Sequence, residues 1–151
     1  MGLDMMLYRT RYLQTGDHIP EDRREVITLR KGNVEVPLTN PAYLKEEILY
    51  WRKANQIHHW FVQNVQNGVD DCREYDVSLD ALQELRDLCN QVLADNDLAE
   101  TLLPPQSGFF FGSTEIDEWY FDDLRHTVES LDQILNAKDE WYFTYSYRSS
   151  G

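Results

Sequence analysis

Leu3, Met5 and Leu7 interleave with Asp4 and Met6, a period of two that predicts a first strand. The stretch Thr15 to Asp22 carries Gly16, Asp17 and Pro20 and reads as a loop. Arg24 to Leu38 has the pattern of a hairpin. Val26-Ile27-Thr28-Leu29 forms one arm, Lys31-Gly32-Asn33 the turn and Val34-Glu35-Val36 the other, ended by Pro37. Asn40-Pro41 then offers an N-cap followed by proline at a first helical position, which predicts a helix from Pro41 to Asn67 stopped at Gly68. On that helix Leu44, Ile48, Trp51, Ala54, Phe61, Val62 and Val65 share one face. Leu49, Tyr50, Ile57 and Trp60 fall on nearly the opposite one, so the helix is expected to pack on both sides.

Ser78 predicts the cap of a second helix, with Val77 and Leu82 as a hydrophobic staple and Leu82, Leu85, Cys89, Val92 and Leu93 inward. Leu102-Leu103-Pro104-Pro105 closes that region. The loop Gln106–Gly112 is unusually apolar, and its phenylalanines Phe109, Phe110 and Phe111 are expected to plug the core. Ser113 or Thr114 predicts the start of a third helix reaching about Asn136, with Ile116, Tyr120, Leu124, Val128, Leu131 and Leu135 inward. Trp141, Phe143, Tyr145 and Tyr147 alternate in a final strand that could pair with the first. The expected fold is α+β. A small, mostly antiparallel sheet of N-terminal strand, hairpin and C-terminal strand packs with three helices in a single globular domain, residues 1–151.

Composition narrows the class. The chain is 42% hydrophobic and 13% aromatic over 151 residues, enough for one cored domain and against disorder. No apolar run has the length of a membrane span, no cationic-then-apolar leader is visible, and Met6 breaks the myristoylation pattern after Met1-Gly2. Cys72 and Cys89 read as reduced thiols, so the expected setting is the cytoplasm.

Charge changes the picture most. The net charge is −13, but residues 1–67 carry +1 and residues 68–151 carry −14. Phosphate recognition needs clustered Lys and Arg, so direct nucleic-acid binding is not expected of the second half. An acidic surface suits either simple solubility or a basic protein groove that normally holds nucleic acid.

Four stretches carry a family resemblance: Met1-Gly2-Leu3-Asp4-Met5, Tyr50 to His58, Gly68-Val69-Asp70-Asp71-Cys72, and Gln106 to Tyr120. In this order they resemble a family of small phage, prophage and bacterial proteins. Met6 and Pro105 depart from its pattern, where Tyr and Thr are expected. The family has no settled activity, so the resemblance implies no catalytic residue. It implies a phage and host setting, where small acidic proteins that block host defence enzymes are familiar.

Candidate chemistry is sparse, and an enzyme is not the expected class. Asn55 and His58 lie on the main apolar stripe beside Trp51 and Val62. They read either as a ligand-facing pair or as a buried histidine satisfied by Asn55, a tyrosine hydroxyl or a carbonyl. With Trp51, Asp70, Asp71 and Gln106 they compose a possible small-ligand or nucleotide pocket. Asp70, Asp71, Cys72 and His58 are metal-ligand types, yet their spacing matches no zinc signature, so no metal and no cofactor are expected. Gly108 and Gly112 flank a loop that opens a helix, but Glu115, Asp117 and Glu118 would repel a phosphate there. The third helix presents the most suggestive surface. Glu115, Glu118, Trp119, Asp122, Asp123 and Glu129 lie off its apolar stripe and form the expected partner-binding face, directed at a host protein with a basic surface.

Overall fold

A computed structural model of the chain describes residues 2–108, 111–137 and 142–150. Its strands are β1 (Asp4–Tyr12), β2 (Leu29–Lys31), β3 (Val34–Val36), β4 (Tyr43–Arg52), β5 (Tyr75–Val77) and β6 (Thr144–Ser150). Its α-helices are α1 (Asn55–Asn64), α2 (Leu79–Ala94), the single turn α3 (Ala99–Leu102) and α4 (Glu118–Asn136). The architecture is α+β, with a four-stranded antiparallel sheet of order β4-β1-β6-β5 and a separate two-stranded sheet β2-β3. The first and last strands pair along Asp4–Thr10 and Thr144–Ser150.

The largest departure from the sequence pattern is the stretch expected to be one helix over 41–67. It is β4 followed by α1, with Lys53 at the corner in the left-handed region at φ 55°. The two opposed apolar stripes are the physical clue. Leu49 and Trp51 face the core while Tyr50 and Arg52 face solvent, which is the period of a strand. From Ala54 onward Ala54, Ile57, Phe61 and Val62 are buried at helical spacing. Projected on one helix, the two periods look like an element apolar on both sides. Pro41 therefore leads into a strand, and Glu46 pairs across β1 and β4 with Arg9 at 3.0 Å.

Three smaller corrections follow the same local logic. The hairpin forms, with its turn at Gly32, but it stands outside the main sheet and its strands are three residues each. The last long helix begins at Glu118, because the Asp117 carboxylate accepts from the Tyr120 N–H, while Ser113 Oγ accepts from Glu115 N within the preceding loop. Strand β5 pairs with β6 although its three residues show too little alternation to be read from sequence. The Ser78 cap of α2 forms as expected, accepting from Ala81 N at 3.1 Å. Trp141, Phe109 and Phe110 lie outside the described residues.

The helices cover one face of the sheet. Met5, Leu7, Trp51 and Tyr147 project from the strands onto Ile57 and Phe61 of α1, Leu82, Leu85 and Cys89 of α2, and Leu124 and Leu131 of α4. Tyr147 stacks on Phe61 with centroids 3.8 Å apart. The Trp51 indole N–H donates to Thr127 Oγ1 at 2.8 Å, and that hydroxyl donates to the Asp123 carbonyl at 2.7 Å. One buried hydroxyl thus satisfies the indole and pins α4 to the sheet. Thr127→Val keeps the shape but leaves the buried indole N–H unpaired. Urea denaturation should show a loss of about 1–3 kcal/mol, whereas Thr127→Ser, which keeps the acceptor, should recover most of it.

Candidate functional site

His58 is the most constrained polar residue of α1. Its side chain is 1% exposed, with Nδ1 2.7 Å from the Tyr147 hydroxyl and Nε2 2.9 Å from Asp70 Oδ1. A carboxylate only accepts, so the imidazole proton sits on Nε2 and Nδ1 accepts from Tyr147 O–H. The chain Tyr147–His58–Asp70 runs from the fully buried interior to a carboxylate whose side chain is 45% exposed. Burial lowers the His58 pKa below its usual 6.5, against the opposing pull of Asp70. Burial likewise raises the Tyr147 phenol. In this geometry both ring nitrogens are engaged, and the imidazole holds the C-terminal strand to the turn after α1.

Asn55 does not touch His58. Its amide donates to the carbonyls of Phe111 at 3.0 Å and Ser113 at 2.8 Å, and its Oδ1 accepts from Gln106 N at 3.0 Å. One side chain thereby closes both ends of the loop 106–113 onto the start of α1. The three backbone groups belong to Gln106, Phe111 and Ser113, which lie in no helix or strand. Phe111 is half-buried, its ring edge-on to His58 at 5.3 Å.

Two clefts flank this clip. The first, about 420 Å³, is lined by His58, His59, Gln63, Asp70, Gln106 and Phe111, among others. The second, about 410 Å³, lies between the β4–α1 corner and the start of α4, where Arg52, Lys53 and Gln56 face Asp117, Trp119 and Asp123. Lys53 fits there because Gly112, at φ 82°, has no Cβ. A Cβ at that position would sit 3.3 Å from Lys53 Cβ.

The residues expected to form a ligand pocket are therefore only partly together. His58, Asp70 and Gln106 line the first cleft. Asn55 lines the second and acts as the clip, Trp51 is buried in the core, and Asp71 turns away to accept from the Tyr75 hydroxyl at 2.7 Å. His59 and Gln63 in the first cleft and Arg52, Lys53 and Gln56 in the second were not expected as site residues, and Phe111 was expected as a core plug. Nothing in their spacing marks them, since loop 106–113 brings the walls together. Among the described residues no group of three or more His, Cys, Asp or Glu could hold a metal ion. The Cys89 thiol is buried and pushed up to about 12, while Cys72 is exposed.

On the acidic face, Glu115, Glu118, Asp122 and Glu129 are exposed, and Trp119 is 79% exposed. Arg125 bridges Glu118 at 3.0 Å and Asp122 at 2.6 Å. Asp123 differs from the expectation of an outward carboxylate. It is half-buried against Gln56, and burial raises its pKa to about 6.

His58 and Asp123 make opposite contributions to stability against pH. With its folded pKa below 6.5, His58 is protonated more readily in the unfolded chain, so its contribution is lost as pH falls below 6.5. The folded Asp123 takes a proton before the unfolded chain does, so its contribution grows as pH falls through about 6 towards 3.8. His58→Ala should cost about 1–3 kcal/mol near pH 7, with a deficit that shrinks below pH 6.5. Asp123→Asn should raise the melting temperature near about pH 7.5 and match the native chain near about pH 4. Thermal melts across pH test both, and an unchanged melting temperature for His58→Ala at neutral pH would remove its structural role.

Comparison of the chain with protein-family models, with curated proteins and with solved structures gave no match, so the site rests on its own geometry.

Proposed function

We propose that this chain is a non-enzymatic interaction protein of phage type. In this reading it binds and inhibits a host protein with a basic surface, one that handles nucleic acid in host defence. The observation that carries the proposal is Trp119, 79% exposed between Glu115, Glu118 and Asp122, while Trp51 and Trp60 are buried. An exposed tryptophan ringed by carboxylates has the composition of an interface anchor with a charged rim. Arg125 braces two of those carboxylates, which reduces the side-chain freedom lost on binding. The −14 carried by residues 68–151 would speed encounter with a cationic partner. The family resemblance supplies the host setting. No helix among the described residues is long and apolar enough to cross a membrane.

The test is capture from bacterial lysate with the native chain and two variants, Trp119→Ala and the triple reversal of Glu118, Asp122 and Glu129 to Lys. The native chain should retain a basic protein. Trp119→Ala should speed its dissociation, costing about 2 kcal/mol or more, and the triple reversal should slow association and weaken its salt dependence. The isolated chain should not bind duplex DNA at physiological salt. Folded variants that hold the same protein with unchanged kinetics would exclude this face.

A second reading is supported by one observation: three of the four stretches that carry the resemblance meet around Asn55 and the 420 Å³ cleft. Among the described residues that cleft is lined by Asp70, Gln63, Gln106 and the Phe111 ring, with no Lys or Arg. It suits a neutral or cationic planar ligand bearing N–H donors, such as a nucleoside, over a phosphate. Nucleosides should then raise the melting temperature of the native chain. Gln106→Ala, which keeps the backbone N–H on Asn55, should abolish the rise. No shift with any nucleoside excludes this reading.

A further inference from the structure

The β2–β3 hairpin is held at its root by an ion pair and backbone hydrogen bonds. Arg11 forks onto the Glu25 carboxylate at 2.8 and 2.7 Å, and Glu25 also accepts from Gln14 N at 3.0 Å. The Glu25 N–H in turn donates to the Gln14 carbonyl at 2.7 Å. Among the described residues, β2 and β3 pair only with each other. Their register, Leu29 opposite Val36 and Lys31 opposite Val34, puts three apolar side chains and the Lys31 stem on one face. Val34 is 68% exposed and Leu29 is exposed as well. A lone two-stranded hairpin is marginally stable in water and needs a third strand or a packing surface.

The same chain carries a second unfilled edge. Strand β4 is ten residues long, and among the described residues its only strand partner is β1. At one end the Tyr50 carbonyl accepts from His126 Nε2 of α4 at 3.0 Å. Among the described residues no strand pairs with the outer edge of the stretch Tyr43–Ile48, and Tyr43 and Leu44 are exposed. Its centre carries Glu46, which also pairs with Arg9, and the exposed Glu47, whereas β2 carries Lys31 and Arg30, the latter opposite Glu35 in the hairpin.

We propose that the hairpin of one copy adds to the outer edge of β4 in a second copy, and that the exchange is reciprocal, giving a two-fold dimer. Antiparallel pairing with Arg30 opposite Glu47 also sets Lys31 opposite Glu46 and Leu29 opposite Ile48. Two ion pairs and one apolar pair thus fall in register. The sheet then runs β3-β2 of one copy, followed by β4-β1-β6-β5 of the other. A second copy is the fitting occupant because both edges need a strand and their charges are complementary. Within one copy the hairpin forms a sheet separate from the one that holds its own β4. An isologous contact satisfies both edges twice. The charged centre of β4 guards it against unselective pairing while accepting a cationic strand.

The experiment is sedimentation velocity on the full chain over a wide concentration range at physiological salt, with circular dichroism as the folding control. The native chain is expected to dimerise. Arg30→Glu and Glu47→Lys should each weaken the dimer by about tenfold or more, because each places like charges opposite one another in both halves of the interface. The double variant Arg30→Glu/Glu47→Lys restores opposite charges and should recover most of the native affinity. A native chain that stays monomeric throughout overturns the proposal. So does a dimer indifferent to both single reversals, or a double variant as weak as the singles. Neither side chain belongs to the α4 face, so this result is independent of partner capture.

Discussion

Strand β1 is hydrogen-bonded along both edges, to β4 on one side and to the last strand on the other, and the rest of the molecule depends on that double pairing. Its inward residues Met5 and Leu7 lie at the centre of the core, between Trp51 and Leu49 of β4 and Tyr147 of β6. The sheet cannot close until residues from both ends of the chain have met. Such long-range pairing is slow to form and cooperative once formed. A β-bulge between Leu7 and Tyr8 shifts the β1–β4 register midway. The buried Met5 and Leu7 lie on one side of it and the Arg9–Glu46 ion pair on the other.

Buried polar side chains fasten the helices and loops to this sheet, each at a place where backbone or ring groups would otherwise be orphaned. Thr127 receives the Trp51 indole, His58 joins Tyr147 to Asp70, and Asn55 takes up three backbone groups of the loop 106–113. Each is costly to leave half-made, which is why each partner is specified. The clefts on either side of Asn55 exist because that loop is drawn down onto α1. Their shape is therefore a consequence of the same hydrogen bonds that stabilise the fold.

The surface divides by charge in a way the core does not. The hairpin and the sheet edge belong to the nearly neutral first half of the chain, while α4 and its approach carry much of the acidity. Trp119 stands at the start of α4, within the acidic region and beside Arg52 and Lys53 across a cleft. The outer edge of β4 and the exposed Trp119 among its carboxylates thus lie in differently charged parts of the chain.

What the sequence determined by itself was whatever depends on neighbours along the chain. The α+β class, the Ser78 cap, the hairpin turn at Gly32, the burial of Leu82, Leu85, Leu124 and Leu131 and the outward Trp119 all follow from local period and turn chemistry. The tertiary structure decided whatever needs a partner far away. Residues 43–52 form a strand because β1 supplies its ladder, and β5 is a strand only because β6 lies beside it. The Tyr147 partner of His58 is 89 residues distant, and the backbone groups that Asn55 gathers lie more than 50 residues downstream. Hydrophobic period records which side of an element is buried. It carries no information on which remote hydroxyl, carbonyl or strand edge meets it, so the clip and its clefts were legible only as residue types.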